Sequence, residues 1–327
     1  MINRKTLLRS AAALLTLSAA APVWAVSDQP LNVVATFSIL GDMTSQIGGE
    51  HVTITTLVGP DGDAHVYQPV PADAKAIRNA KVLVVNGLGF EGWLDRLVEA
   101  SGFQGVYSVA TTGVVPLAFE EEEHHEDEEH DADHAEKNDE DGHKDGDHHD
   151  HGAFDPHAWQ TIVNAVTYVD NITAALSKAD PTNASTYYQN RAAYVAELKK
   201  VEAEIASAVA TLLDDERTVV TPHDAFGYFA DAYGLKFVAP QGLSTESEAS
   251  AADVAKLIRQ IKDENIKAVF LENVADTRLL ERIADETGAT IGGSLYSDAL
   301  SGSDGPAGTY LDMMRHNTNT LVGALGS

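Results

Sequence analysis

Along the chain, short β-branched apolar runs alternate with segments whose apolar positions recur at helical spacing. Residues 32–37 (NVVATF) read as a strand, 52–58 (VTITTLV) as a second, 81–85 (KVLVV) as a third and 106–109 as a weaker fourth. Between them, 72–80 and 90–100 read as helices, the second amphipathic. Further on, Ile162, Val163, Val166, Val169, Ile172 and Leu176 mark a helix over 159–178, ended by Asp180-Pro181. Asn183 is placed to cap the next helix, which meets no Gly or Pro before about Leu213. About thirty residues of helix span ~45 Å, more than one small domain needs, so this element reads as a bridge between two.

The second half repeats the rhythm of the first. Strands are expected at 217–221 (RTVVT), 235–239, 267–271 (KAVFL) and 290–295. Helices are expected through Tyr233, from Ser250 (a capping box with Asp253) to Glu264, through Thr287, and over 309–325. Strands alternating with helices imply parallel sheets covered on both faces. The expected fold is therefore α/β, with two lobes, each a four-stranded, mainly parallel sheet flanked by helices, joined by one long rigid helix. The corresponding boundaries are an N-terminal lobe over 26–181, a linker helix over 182–214 and a C-terminal lobe over 215–327.

One stretch breaks the pattern. Residues 120–151 hold eight histidines, seventeen Asp or Glu and two Lys. With so little apolar surface to bury, the loop 120–152 is expected to be disordered. Its histidines (His124, His125, His130, His134, His143, His148, His149 and His151) form an auxiliary metal-collecting tract, because neutral imidazole suits zinc and similar ions. The tract also carries fifteen of the twenty-eight net negative charges. Such a balance argues against nucleic acid and anionic membrane surfaces as partners and favours cations.

Residues 1–25 have a charged start (Arg4, Lys5, Arg9), an apolar stretch and the small-residue ending Val23-Trp24-Ala25. They read as a cleaved secretory signal. There is no cysteine, which removes disulfides, thiolate zinc sites and a lipid-bearing N-terminal cysteine together. The simplest location for the exported chain is the periplasm.

In open α/β sheets, ligands bind beyond the carboxyl ends of the strands. Four side chains fall in such places: His65 after the second strand, His157 after the fourth and the tract, His223 after the first strand of the second half, and Asp298 after the last. Three imidazoles and one carboxylate suit tetrahedral zinc and leave one net positive charge; manganese or calcium would prefer more oxygen. Taken singly, each has an ordinary alternative, a surface histidine or an aspartate that caps its own turn. His51 at a strand start and His316 within a helix read as structural.

The stretches GDAHVYQPVPAD (62–73), DPHAW (155–159), TPHDAFGYFADAYGL (221–235), LSTESEASAADVAKLI (243–258), IKAVFLEN (266–273) and SLYSDAL (294–300), in that order, make the chain resemble the cluster A-I (cluster 9) metal-binding proteins of ABC transporters. The histidine-rich acidic insertion before DPHAW resembles the zinc-type, ZnuA-like branch. The resemblance implies a periplasmic protein, not an enzyme, that carries Zn2+ to a membrane permease and its ATPase. It assigns His65, His157, His223 and Asp298 as the metal ligands and implies two α/β lobes around a rigid helix. Two departures stand out: Ala64 replaces the acidic residue that some zinc members have before the first histidine, and a C-terminal-lobe disulfide is absent. They leave Asp298 or water for the fourth position.

The leading expectation is a monomeric zinc-binding transport protein, with the permease and a periplasmic zinc chaperone as candidate partners. A zinc buffer or metallochaperone, a manganese-binding transport protein and a zinc hydrolase are the alternatives. Against the hydrolase, there is no H-E-x-x-H and no carboxylate poised as a base.

Overall fold

The computed structural model describes residues 29–118 and 154–326. The signal and the histidine-rich tract, with the expectations placed on them, lie outside the described residues.

The first sheet takes β1 (Leu31–Phe37), β2 (Val52–Val58), β3 (Val82–Val85) and β4 (Val106–Val109). The second takes β5 (Thr218–Val220), β6 (Lys236–Val238), β7 (Ala268–Glu272) and β8 (Thr290–Leu295). Their orders are β2-β1-β3-β4 and β6-β5-β7-β8, and every pairing is parallel. The expected two four-stranded α/β sheets are therefore present. In both, the order reverses beside the first strand, between β1 and β3 and between β5 and β7, which opens a crevice at the carboxyl ends. The two halves turn these ends toward each other.

Nine α-helices cover the sheets among the described residues: α1 (Ser38–Gly48), α2 (Pro71–Asn79), α3 (Leu94–Ser101), α4 (Ile162–Ala179), α5 (Ala184–Val209), α6 (Gly227–Tyr233), α7 (Ala251–Asp263), α8 (Thr277–Thr287) and α9 (Tyr310–Leu325). Several boundaries differ from the sequence expectation. Helix α3 starts at Leu94, not residue 90, because Gly87, Leu88 and Gly89 all have positive φ and the Glu91 carboxylate closes that turn on the Asn86 and Gly87 N–H groups. Trp159 lies in a 3-10 turn (Ala158–Gln160), and α4 begins only after Thr161, whose hydroxyl accepts from Asn164 N–H at 3.2 Å. Helix α5 ends at Val209 and is not capped by the Asn183 side chain, whose amide instead donates to Asp180 at 2.7 Å.

Helix α5 does bridge the halves. It buries Tyr187, Tyr194, Val195, Leu198, Val201, Ile205 and Val209 along one stripe, packing on α1 and α4 from one side and α6 and α9 from the other. One continuous apolar core runs from Val33 and Leu83 through Leu198 to Phe229, Tyr310 and Met313. A smaller separate core (Val220, Leu257, Ile261, Val269, Leu280, Ile283 among it) fills the outer part of the second half. Polar ties join the halves as well: Asp61 N–H donates to Leu300 O at 2.8 Å, Leu300 N–H to Ser38 Oγ at 2.9 Å, and Tyr310 N–H to Asp42 Oδ2 at 2.9 Å.

Candidate metal centre

His65 follows β2 in the loop Gly59 to Val66, where Asp61 turns the chain at φ 54°. Asp63 Oδ1 accepts the His65 N–H at 2.9 Å, and the Trp93 indole N–H holds the Ala64 carbonyl at 2.8 Å. Those bonds aim the His65 ring inward, where its edge meets Phe90 at 4.7 Å between centroids.

His157 sits where the chain re-enters after the tract. Asp155 Oδ1 accepts its backbone N–H at 2.8 Å and lies 2.7 Å from Nδ1. A carboxylate at Nδ1 places the proton there and leaves Nε2 as the free donor of a lone pair. The Asn86 amide fixes the preceding Pro156 carbonyl at 2.9 Å, and the rings of Phe90 and Trp159 stand edge-on around the imidazole.

His223 ends the Thr221-Pro222-His223 turn after β5. Glu272, at the tip of β7, puts Oε2 2.7 Å from His223 Nδ1, an ion-pair contact without hydrogen-bond alignment, while Oε1 accepts the His223 N–H at 3.4 Å. Asp298, beyond β8, lies between the imidazoles. Its Oδ2 is 3.2 Å from His223 Nε2 and 3.3 Å from His65 Nε2, and its Oδ1 is 3.6 Å from His157 Nε2. The two Nε2 atoms of His65 and His157 are 3.3 Å apart.

These distances match a metal cage. With bonds of ~2.0–2.1 Å, the corners of a tetrahedral zinc site stand roughly 3.3–3.4 Å apart. The four donor atoms all fall within 4.8 Å of one another, and all four residues are buried. Among the described residues, Asp298 Oδ1 has no hydrogen-bond partner, although it is fully enclosed, which a cation would remedy.

Electrostatics points the same way. Burial alone would push the His223 imidazole down, but the charges of Glu272 and Asp298 outweigh it and hold the group well above its usual 6.5. Burial would likewise raise Asp298, yet the facing His223 and His157 hold its carboxyl well below the usual carboxylate range.

All four residues singled out in the sequence thus meet at one point, one pair from each half. His51 and His316 lie elsewhere, His51 edge-on to Tyr187 at 6.2 Å and His316 Nε2 3.0 Å from Ser294 O. The sequence reading missed Asp155 and Glu272. Both carboxylates stand at the Nδ1 side of an imidazole and add negative charge behind the His157 and His223 rings. A signal for Asp155 was present, since an Asp stands two positions before both His65 and His157. Glu272 ends a strand, as the other site residues follow strands.

Residues 33–324 match the family model described as zinc-uptake complex component A, periplasmic. The manganese-binding lipoprotein MntA of Bacillus subtilis (strain 168) is 34% identical over 304 residues, covering 91% of this chain and 91% of that protein. The iron-binding protein YfeA of Yersinia pestis is 30% identical over 295 residues, 90% of this chain and 86% of that protein. Among solved structures, the periplasmic zinc binding protein TroA from Treponema pallidum superposes with a TM-score of 0.78 at 28% identity, over 91% of this chain and 99% of that one.

Proposed function

Because the chain belongs to the family of periplasmic metal-binding components of ABC transporters described as zinc-uptake complex component A, we propose that it captures Zn2+ between its two halves and delivers it to a membrane permease. His65, His157, His223 and Asp298 are the ligands in this reading. The observation that carries it is the donor set itself: three imidazole nitrogens and the two oxygens of one carboxylate, 3.2 to 3.6 Å apart in the contacts between them. Nitrogen-rich tetrahedral sites suit zinc, whereas manganese prefers oxygen and higher coordination. A carboxylate in the fourth position leaves no place for the open water that a zinc hydrolase needs.

Manganese or iron as cargo is the second reading, favoured by relatives named for those ions. Competition decides between them. The metal-stripped protein is titrated with Zn2+ in the presence of excess Mn2+ or Fe2+ under reducing conditions, alongside His223→Glu. Zinc is expected to displace both from the parent. His223→Glu, which exchanges an imidazole for a hard oxygen, is expected to weaken zinc and improve manganese in relative terms. Retention of manganese against equimolar zinc by the parent would sink the zinc assignment.

Export to the periplasm with removal of residues 1–25 belongs to the same reading, as do a monomeric state, a periplasmic zinc chaperone as second partner and the division at 26–181, 182–214 and 215–327. Among the described residues, no helix is long and apolar enough to cross a membrane. The eight tract histidines would raise the local zinc concentration beside His157, because tethered sites act through effective concentration.

A further inference from the structure

Between His157 and Asp298 there is a tie that involves neither ligand's side chain. The carbonyl of Ser297, the residue before Asp298, accepts two hydrogen bonds from the other half. The Trp159 indole N–H donates at 2.9 Å and the Gln160 amide Nε2 at 2.8 Å. Both donors follow His157 in the 3-10 turn, itself closed by Gln160 N–H on His157 O at 3.1 Å. All of these residues are fully buried. The Ser297 carbonyl and the Asp298 N–H and Cα belong to one planar peptide unit, so holding the oxygen restrains where Asp298 Cα, the root of its side chain, stands.

Gln160 is an expensive way to fill that space. Its Oε1 is buried with no hydrogen-bond partner among the described residues, and an amide oxygen left unpaired away from water is destabilising. A methionine would fill the same volume without that defect. Trp159 has packing to justify it, with Phe37 and Phe90 against its rings; for Gln160, the N–H to Ser297 is the one contribution that an apolar side chain could not replace.

We propose that Gln160 is a positioning residue of the metal centre: by clamping the Ser297 carbonyl it sets where the Asp298 carboxylate stands relative to His157. The inference rests on the metal-centre reading above.

The test compares the full chain, Gln160→Met and Gln160→Glu, using Zn2+ alone as the probe. Zinc affinity is read by competition with a chelator and zinc release by stopped flow, and thermal unfolding is followed on metal-stripped protein. Groups that orient ligands from outside the coordination sphere typically contribute ten- to a hundredfold to affinity. Gln160→Met is expected to lose about tenfold in affinity, mainly through faster release, while its metal-free Tm is equal to or above the parent's. Gln160→Glu has the same shape but turns an acceptor toward the carbonyl, and should lose at least as much; it decides in the same way if the methionine variant fails to fold. Parental zinc affinity in both variants overturns the inference, as does a lower metal-free Tm with unchanged affinity per folded molecule. Failure of the parent to bind zinc would instead remove the metal-centre reading, and this inference with it.

Discussion

At the scale of single residues, the proposed metal site is defined by what stands behind each of its four side chains. Asp155 and Glu272 back His157 and His223 through Nδ1. The four proposed ligand positions were legible because imidazoles after strands are few; their supports were not, because a carboxylate two residues or one strand away looks like any other surface acid until the fold is closed. The supports have a consequence in solution. In the metal-free protein, Glu272 and Asp298 hold His223 well above 6.5 against the effect of burial, which favours its protonated form, and an entering ion must expel a proton held there. Zinc uptake at pH ~7 is expected to release about one proton, read by calorimetry in buffers of different ionisation enthalpy. The sign for stability follows. A raised His223 stabilises the metal-free fold fully below its unfolded value, and that contribution is lost as pH rises through the folded value. The lowered Asp298 stabilises above its unfolded value and loses its effect only in strong acid. Metal-free protein should therefore lose thermal stability from neutral to alkaline pH while zinc-loaded protein does not. Binding heats that are independent of buffer would contradict this.

At the scale of elements, strands were easier to read than helices. All eight strands fall where the β-branched runs place them, while α1 was not recognised at all. Its sequence SILGDMTSQIG contains two glycines and several short polar residues of low helix propensity. Packing explains them. A Cβ on Gly48 would lie 2.3 Å from Val52 Cγ2, and one on Gly41 2.5 Å from Thr56 Oγ1, so tertiary closeness overrides propensity there. Two substitutions separate these effects. Gly323, late in α9, has open space around its missing Cβ, and Gly323→Ala should stabilise by about 0.4–1 kcal/mol through the unfolded chain. Gly48→Ala gains the same local preference but meets Val52, and should destabilise by about 1–3 kcal/mol, the usual cost of overpacking. Urea unfolding of both variants tests the pair; equal shifts would mean that α1 tolerates a wider spacing from β2.

At the scale of the whole molecule, the two halves are less separate than their repeated rhythm suggests. A core shared across α5 and α9 cannot be seen in a sequence, because it depends on which apolar faces meet. The primary site is assembled from residues outside 120–151, so deleting those residues should leave one tight zinc site and abolish weaker ones. Calorimetric titration of the deletion variant reads both classes at once, and disappearance of the tight one would make the tract part of the primary coordination.

The two edges of that insertion are stitched together. Ala118 and Phe154 form an antiparallel bridge, and Asp155 N–H donates to Leu117 O at 2.9 Å. For a segment whose ends are held side by side, each doubling of length adds only about 0.6 kcal/mol of closure entropy. The fold therefore registers the insertion as little more than a point. Its length and histidine content can therefore change at little cost to the fold, while Asp155 and His157 lie one and three residues beyond the Ala118–Phe154 bridge.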